Sequence, residues 1–362
     1  MERVTADLIR LFNASGQKVS SLVSLYGVGS PVVDYPEGLK IEVLNPRSKR
    51  KFKSVFVDFF KRERPDYFIF QGDNMTVSIA VLEAAKETGV IAIPQYHGSP
   101  YAYLRKYEDA QNKHRLRRLW SKVFYPFKRA KLSKFITASC HGLVCVSEGV
   151  RRELIDLFGD EKTNNLVTIY NPMRFSKELV AQKEKTVSFI SRLESKHKNA
   201  FLIAKTWALI SAKHPDWHLN IYGEGRLRKA IEEYFCGKGI NNYEMKGFVE
   251  SIGGELAKSS ICLSTSNCEG FSMAVAEAIL CGNAVVATDS DGGIKDMLLH
   301  NETALLSAKN EAKGLANHTI ALIEDSALAL KLREGAQARL LKIQNESPMV
   351  QWEKLLNQKR PE

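Results

Sequence analysis

The residue pattern that most clearly suggests chemistry lies between Asn267 and Gly282. An apolar run, Ile261 to Ser266, precedes it and a helix-forming stretch follows Gly270, so the segment predicts a strand, a tight turn and a helix. Gly270 permits close approach of the backbone to a ligand, and the amides that open the helix favour a phosphate. Two carboxylates accompany this turn, Glu269 within it and Glu277 eight positions later.

The spacing of the two glutamates separates two chemistries. Eight residues of helix rise about 12 Å, whereas the paired carboxylates of a glycosidase lie about 5–5.5 Å or about 6.5–9.5 Å apart. The spacing argues against hydrolysis and suits a nucleotide sugar, with Glu269 accepting hydroxyls of the sugar and Glu277 those of the ribose. For Glu277 alone, a solvated helix position is the alternative.

Cations that could bind a diphosphate follow the apolar run Val187 to Ser191, at Arg192, Lys196 and Lys198. The planar guanidinium of Arg192 can bind two phosphate oxygens, and Lys198 can act as a point charge beside it. A basic turn is also typical of a loop that is merely solvated. In the first half, His97 precedes Gly98 at the predicted end of a strand, where it is either a structural histidine or a ligand-binding one.

One further carboxylate pair, Asp289-Ser-Asp291, could hold a divalent ion against a diphosphate. Because Arg192 and Lys198 can neutralise the negative charge of the diphosphate, we predict no metal site and no required cofactor.

The composition describes a globular protein. The 362 residues are 44% hydrophobic and 26% charged, enough for two domains. No apolar run reaches about 18 residues, so we expect no membrane span. The sequence does not begin with a short basic segment followed by an apolar segment, so we expect no signal peptide. The six cysteines include no C-x-x-C pair, which favours the reducing cytosol.

The net charge of +11 is concentrated in the first half, where residues 1–170 carry 27 Lys+Arg against 18 Asp+Glu. Eleven basic residues lie between Leu104 and Lys134, interleaved with apolar residues such as Trp120, Phe124 and Phe127. Such a segment can lie on an anionic membrane surface. A solvated helix that packs on its own domain is the alternative. Nucleic-acid binding is not expected, because no recognition motif accompanies the charge.

Short apolar runs alternate with helical stretches along the whole chain, which predicts two α/β halves with parallel, doubly wound sheets. Ligands of such sheets bind at the carboxyl ends of the strands, so a cleft between the halves is the expected active site. The predicted strands are Lys18 to Leu25, Leu39 to Leu44, Tyr67 to Gln71, Val90 to Tyr96, Gly142 to Ser147, Leu166 to Tyr170, Val187 to Ile190, His218 to Tyr222, Tyr243 to Gly247, Ile261 to Thr265 and Ala284 to Thr288.

The chain starts in an unusual way for this pattern. Glu2 to Asn13 already has the apolar spacing of an amphipathic helix, so the first strand of the N-terminal domain is predicted to be absent. Such a domain would have an open sheet edge and be less stable than the second. We place the domains at residues 1–172 and 173–346, with a C-terminal helix in 347–362 crossing back to the first domain.

The sequence resembles the glycosyltransferase family 4 members of the GT-B fold, also called group 1 glycosyltransferases. The resemblance covers nearly the whole chain and is most specific at Glu269-x7-Glu277. The other matching segments are Gln95-Tyr-His97-Gly98, Val144-Cys-Val-Ser147-Glu148, Ile169-Tyr-Asn171-Pro172, Ser191-Arg192-Leu193 with Lys198, Leu219 to Gly225, Lys246-Gly247-Phe-Val and Ala284 to Gly293. Ser191 and Asn199 stand where the family usually has glycine, and the family's opening strand and Gly-Gly loop have no counterpart.

The resemblance implies two Rossmann-like domains that face each other across a cleft, the first on the acceptor side and the second binding the donor. It implies roles for catalytic and donor-binding residues. Arg192 and Lys198 would bind the diphosphate, Glu277 the ribose, Glu269 the transferred sugar, and His97 would reach that sugar from the first domain. The remaining implied donor contacts come from Gly223, Glu224, Gly247, Phe248, Val249, Gly270, Phe271 and Ser272.

The function expected from the resemblance is a retaining, metal-independent transfer from a UDP-hexose or UDP-N-acetylhexosamine to a cell-surface polysaccharide or lipid-linked glycan. The expected location is the inner face of the cytoplasmic membrane, with residues 104–134 on the anionic surface. Alternatives are another activity of the same fold, a phosphorylase or a sugar-nucleotide epimerase, and a non-catalytic glycan- or nucleotide-binding partner subunit.

Overall fold

The computed structural model describes residues 2–25, 35–104, 115–173, 182–194, 197–344 and 347–357, without the side chains of Glu2 and of residues 115–122. The chain divides into two compact units. Unit 1 comprises residues 1–173 and 346–362, and unit 2 comprises residues 174–345.

Unit 1 begins with a helix, after which strands and helices alternate. Its elements are α1 (Glu2–Ala14), β1 (Ser21–Ser24), β2 (Lys40–Val43), α2 (Phe52–Glu63), β3 (Tyr67–Gln71), α3 (Met75–Thr88), β4 (Ile91–Tyr96), α4 (Pro100–Leu104), α5 (Arg115–Ala138), β5 (Leu143–Cys145), α6 (Glu148–Phe158), α7 (Asp160–Thr163) and β6 (Leu166–Thr168). Unit 2 then contains β7 (Glu184–Ile190), α8 (Phe201–Ser211), β8 (His218–Tyr222), α9 (Arg228–Gly237), β9 (Tyr243–Gly247), α10 (Gly253–Lys258), β10 (Ser259–Ser264), β11 (Cys268–Glu269), α11 (Met273–Leu280), β12 (Ala284–Thr288), β13 (Asp291–Gly292), α12 (Ile294–Met297), β14 (Leu305–Ser307), α13 (Ala312–Glu324) and α14 (Ser326–Ile343). The last helix, α15 (Pro348–Leu356), returns to unit 1.

The strands of unit 1 form two separate parallel sheets among the described residues. One has the order β3-β4-β5-β6, and the other contains only β1 and β2. The first described element of unit 1 is the helix α1. In parallel strands of this kind all carboxyl ends lie at one edge, which here gathers the residues that follow Gln71, Tyr96 and Cys145.

Alternation along β3 and β4 gives the larger sheet of unit 1 two apolar faces. Ile69 and Ile93 contact a cluster formed with α1 and α15, whereas Phe68 and Phe70 contact the core formed with α2 and α3. The helix α15 is bound to this unit by apolar and polar contacts. Trp352 is completely buried, and the Tyr67 hydroxyl donates to the Leu356 carbonyl at 2.6 Å.

Unit 2 has a six-stranded parallel sheet with the order β14-β12-β10-β7-β8-β9 and a separate two-stranded parallel sheet of β11 and β13. The chain passes from β7 outward to β9 and then returns to the other side of β7 at β10, so these two neighbours form the topological switch point. Buried residues such as Phe189, Trp207 and Ile221 pack the helices against the sheet. The predicted α/β class is confirmed, and the three-residue strand β14 is an element that the sequence analysis missed.

We predict that the backbone amides of β1 exchange hydrogen faster than those of β10. All four β1 residues are only half-buried and the strand has β2 alone as a described partner, whereas β10 lies between β7 and β12. A two-stranded sheet is marginally stable on its own. Hydrogen–deuterium exchange with peptide resolution measures the difference, and equal protection of Val19 to Leu25 and Ile261 to Thr265 would contradict it.

Candidate functional site

The switch point of unit 2 brings together two loops that the sequence places about seventy residues apart. Lys198 lies in the loop after β7, and Glu269 ends β11 in the loop region after β10. The Lys198 ammonium donates to Oε1 of Glu269 at 2.6 Å. The two side chains are 23% and 11% exposed, so this ion pair is largely shielded from water.

Three further contacts hold the Lys198 loop against the Glu269 turn. The Thr265 hydroxyl donates to the Lys198 carbonyl at 3.0 Å, and the Asn267 amide donates to the His197 carbonyl at 2.8 Å. Nδ1 of His197 lies 3.1 Å from the sulfur of Cys268. Burial raises the pKa of that thiol to about 12, so it is uncharged beside the ion pair. The sequence analysis did not select these residues, because their types are common in loops.

Asn199 explains how the loop turns without the family's usual glycine. Its φ of +45° lies in the left-handed region, which asparagine tolerates better than other residues with a side chain. Its amide nitrogen donates to Oδ1 of Asn310 at 2.9 Å, which fixes the side chain. Lys196 lies outside the described residues.

The turn after Glu269 leads directly into a helix. Ser272 is the N-cap of α11, and Gly270, Phe271 and Ser272 are all buried. Glu277 lies in the middle of this helix and is half-buried. The predicted separation of about 12 Å between Glu269 and Glu277 rested on eight helical residues, and that premise is wrong because α11 begins only at Met273.

Arg192 is exposed at the carboxyl end of β7, beside the loop that carries Gly223. The glycines of that loop have a packing role. A Cβ on Gly223 would clash with the Ser191 carbonyl, and its φ is +119°. The backbone of the Arg192 loop can therefore lie directly against the β8 loop, where the Leu193 amide donates to the Glu224 carbonyl at 2.9 Å.

The remaining predicted donor residues lie near the end of β9. The carboxylate of Glu224 accepts a hydrogen bond from the Arg228 guanidinium at 2.7 Å, so it forms an ion pair within the protein. The φ of Gly247 is +70°, and Phe248 follows it with 59% of its surface exposed. Val249 is half-buried.

The two aspartates considered as metal ligands are bound by lysines. Asp289 pairs with Lys295 at 3.1 Å, and Asp291 pairs with Lys309 at 2.7 Å. Across the part of the chain that the structure describes, no group of three or more His, Cys, Asp or Glu residues could hold a metal ion.

His97 belongs to unit 1, at the carboxyl end of β4. Its backbone N–H donates to Oδ1 of Asp73 at 3.1 Å. Burial lowers the pKa of its imidazole to about 3, and Nε2 is buried without a hydrogen-bond partner among the described residues. The histidine is therefore neutral at physiological pH. Burial also raises the pKa of the Asp73 carboxyl.

Two family models match the chain along nearly its whole length. The model of Glycosyltransferase Family 4 matches residues 1–176, and that of Glycosyl transferases group 1 matches residues 184–325. The chain belongs to the group 1 glycosyltransferases of family 4. The resemblance seen in the sequence is thereby confirmed.

Curated relatives of this family 4 chain are distant. An uncharacterized glycosyltransferase of Haemophilus influenzae is 24% identical over 229 residues, 60% of this chain and 63% of that protein. The poly(ribitol-phosphate) alpha-N-acetylglucosaminyltransferase of Staphylococcus aureus is 26% identical, over 63% of this chain and 46% of the relative. The poly(glycerol-phosphate) alpha-glucosyltransferase of Bacillus subtilis is 29% identical, over 49% of this chain and 26% of the relative. The matches thus cover less than two thirds of each relative's length.

Solved structures share the fold of the family 4 chain. Anabaena HepE in complex with UDP and glucose superposes with a TM-score of 0.71 at 15% identity, covering 98% of this chain and 94% of HepE. The lipopolysaccharide outer core galactosyltransferase WaaB superposes with a TM-score of 0.70 at 16% identity, and the match covers 98% of this chain and 94% of WaaB. These likenesses identify the GT-B fold.

We predict that Lys198 and Glu269 are energetically coupled. In a double-mutant cycle, Lys198→Met and Glu269→Gln should show a coupling of about 1–3 kcal/mol in unfolding free energy, because each charge loses its partner in a shielded position. Chemical denaturation of the two single variants and the double variant measures it.

The exposed pair Lys185–Asp216 is the matched control for this cycle. Its atoms are 2.7 Å apart, but the side chains are 68% and 55% exposed, so the coupling should stay below about 1 kcal/mol. Equal coupling in both pairs would show that Lys198 and Glu269 are not shielded as described.

Proposed function

We propose that the chain transfers a sugar, with retention of anomeric configuration and without a metal, from a UDP-hexose or UDP-N-acetylhexosamine to a cell-surface polysaccharide or lipid-linked glycan. The observation that carries the proposal is the Lys198–Glu269 contact in front of α11. A cation, a carboxylate and the positive end of a helix together suit the junction between a diphosphate and a sugar.

The proposed chemistry needs only groups that the chain supplies. Lys198 would exchange part of its contact with Glu269 for the diphosphate, with Arg192 as second cation, and Glu269 would accept sugar hydroxyls. The bond from C1 to the phosphate oxygen breaks, and the acceptor hydroxyl forms the new bond to C1 on the same face. Its proton passes to the departing diphosphate. Electrostatic stabilisation of that leaving group contributes several kcal/mol.

The names of the relatives support the donor and the stereochemistry. HepE was solved with UDP and glucose, and a pneumococcal GtfA with UDP and GlcNAc. The S. aureus and B. subtilis relatives are named as alpha-transferases. Because common UDP-hexoses carry the sugar in α linkage, an α product means retention.

A screen of nucleotide sugars tests the donor class. UDP-glucose or UDP-N-acetylglucosamine should raise the melting temperature of the purified chain more than GDP- or ADP-sugars, since a ligand that binds the folded state stabilises it. Transfer to glycerol-phosphate oligomers or octyl glycosides, followed by NMR of the product, tests retention. Isomerised donor would favour the epimerase alternative, and donor binding without turnover would favour a non-catalytic subunit.

We predict that the two glutamates of the site act on different parts of the donor. Glu277→Gln should weaken UDP and UDP-sugar alike, about tenfold, because it removes a charged acceptor for ribose hydroxyls. Glu269→Gln should weaken only the UDP-sugar. Calorimetry with UDP and with UDP-glucose separates the two cases, and an equal loss of UDP affinity in both variants would refute the division. Arg192→Ala combined with Lys198→Ala should abolish binding of either ligand.

A membrane-binding surface on unit 1 would bring the enzyme to such an acceptor. Val123, Phe124 and Phe127 of α5 are 52%, 43% and 71% exposed, so the apolar residues of this segment do not all pack inward. Residues 105–114 are outside the described part of the chain. No helix in the described ranges is long and apolar enough to cross a bilayer. The exposed trio together with nearby cations instead suits shallow binding to an anionic surface, on the cytoplasmic side.

Several cations in this segment have structural contacts, Lys128 and Arg129 among them. Lys128 donates to the Tyr103 carbonyl at 3.1 Å, and Arg129 donates to the Leu157 carbonyl at 2.8 Å. Reversing the charges of Lys128 and Arg129 together with Arg117 and Arg118 should release the protein from anionic vesicles. However, that variant would also loosen α5.

The sharper prediction therefore uses an exposed apolar residue. Phe127→Asp should reduce sedimentation with vesicles that contain phosphatidylglycerol by at least fivefold, while leaving the melting temperature unchanged. Leu330→Asp is the matched control, because Leu330 is 43% exposed on α14 of unit 2. Undiminished sedimentation of Phe127→Asp, or an equal loss in the control, would contradict the surface.

A further inference from the structure

The short loop between β14 and α13, residues 308–311, reaches the loop that contains Lys198. Oδ1 of Asn310 accepts the hydrogen bond from the side-chain amide of Asn199 at 2.9 Å, and Asn199 directly follows Lys198. The φ of Asn310 is +63°, so both asparagines of this contact have left-handed backbones. Because each backbone is in a restricted conformation, the hydrogen bond fixes one loop relative to the other. We call residues 308–311 the bridging loop.

The neighbouring residue of the bridging loop reaches the other side of the ion pair. The Lys309 ammonium donates to Oδ2 of Asp291 at 2.7 Å, and both side chains are 30% exposed. Asp291 begins β13, which pairs in parallel with β11, and Glu269 of β11 is the register partner of Gly292. The Gly293 amide donates to the Glu269 carbonyl at 2.8 Å. Lys309 is thus connected to the backbone of Glu269 through β13.

These contacts close a ring in which the connections are hydrogen bonds and ion pairs. The Lys198 loop binds the β11 turn, the β11 turn binds β13, β13 binds Lys309, and Asn310 binds the Lys198 loop again. A ring restrains each member from two directions. The separation of Lys198 and Glu269 therefore does not depend on their own bond alone.

The two ion pairs of the ring lie close to one thiol. Burial is the main cause of the raised pKa of Cys268, and charges act on this pKa as well. Glu269 and Asp291 raise it further, whereas Lys198 and Lys309 lower it. Because such charge effects weaken with distance, Lys198 and Lys309 belong to the same electrostatic environment. Removing the charge of Lys309 would therefore change the field at the first ion pair.

The bridging loop is held at its base by β14, the edge strand of the six-stranded sheet. The Leu306 amide donates to Nδ1 of His300 at 2.9 Å, and the Leu306 carbonyl accepts from Nε2 of His318 at 3.1 Å. The next carbonyl, that of Ser307, accepts from the Asp289 amide at 2.7 Å. The strand that leads into the bridging loop is therefore bound on both sides.

We propose that Asn310 and Lys309 are positioning residues of the donor site, which set the separation and orientation of Lys198 and Glu269. The word donor rests on the proposed function, whereas the effect of the bridging loop on the ion pair does not. Asn310 would act on the side that binds the diphosphate, and Lys309 on the side that binds the sugar. The alternative is that both residues only stabilise unit 2.

The coupling between Lys198 and Glu269 tests the proposal without any ligand. The double-mutant cycle of Lys198→Met and Glu269→Gln is repeated in an Asn310→Gly background and in a Lys309→Met background. In each background, the coupling measured by chemical denaturation should fall to less than half of its value in the otherwise unchanged chain. Glycine adopts the left-handed φ of Asn310 readily, so that variant removes the hydrogen bond without backbone strain.

Conservative variants and matched controls separate positioning from general stability. Asn310→Asp keeps the acceptor oxygen and Lys309→Arg keeps the charge, so both should retain most of the coupling. Asn242→Ala and Lys185→Met are the controls, because they remove an asparagine contact and an ion pair elsewhere in unit 2. These two variants should leave the coupling between Lys198 and Glu269 unchanged, even where they lower the melting temperature.

Three results would overturn the proposal. The first is an unchanged coupling in Asn310→Gly or in Lys309→Met, with or without a lowered melting temperature, since that would show a purely structural role. The second is an equal loss of coupling in the two controls. The third is the absence of measurable coupling in the wild-type background.

Calorimetry with UDP and UDP-glucose tests the donor site itself. Asn310→Gly should raise the Kd for both ligands about tenfold, because it displaces the cation that binds the diphosphate. Lys309→Met should raise the Kd for UDP-glucose alone. An unchanged Kd for UDP-glucose in both variants would overturn the role in the donor site. A wild type that binds neither ligand would contradict the proposed function, while the double-mutant cycles would still decide whether the bridging loop positions the ion pair.

Discussion

The contact between the Lys198 ammonium and the Glu269 carboxylate depends on the order of strands in unit 2. The two residues are 71 positions apart, and they meet because β7 and β10 are neighbours whose carboxyl ends lie at one edge. The bonds from Thr265 and Asn267 then fix the distance between their loops. Every role proposed for this unit uses that edge, from the cation for a diphosphate to the helix that begins at Met273.

The carboxyl edges of the two units differ in their chemistry. In unit 2 the described side chains at the edge include ion pairs, such as Lys198 with Glu269 and Lys309 with Asp291. In unit 1 the corresponding positions carry the amide of Gln71, the neutral imidazole of His97 and, after β5, the half-buried pair of Glu148 with Arg151.

Much of the fold could be predicted from the sequence, because buried parallel strands are short apolar runs between helices. Tyr67–Gln71, His218–Tyr222 and Ala284–Thr288 have the predicted bounds, whereas Leu305–Ser307 was too short to give a signal. The site was only partly predictable. Individual residues could be selected by type, but the bond between Lys198 and Glu269 depends on strand order, which local patterns do not contain.

Other features could not be predicted because they depend on packing. Aromatic residues at helical spacing have the same pattern whether they face inward or outward, and only the structure shows that Phe127 is exposed. The charge of Arg129 likewise contributed to the expected membrane surface of residues 104–134, although its guanidinium donates to the Leu157 carbonyl. The left-handed φ of Asn199 is a similar case, since asparagine adopts many loop conformations.

The position of α15 affects how the chain folds during synthesis. This helix is made after the whole of unit 2, yet Trp352 is completely buried in the core of unit 1. The bond from the Tyr67 hydroxyl to the Leu356 carbonyl spans 289 positions of sequence. On the ribosome, unit 2 can therefore assemble first, while unit 1 leaves the apolar surface beside Ile93 open until the last helix emerges. For that interval, the surface that later holds α15 is available to chaperones.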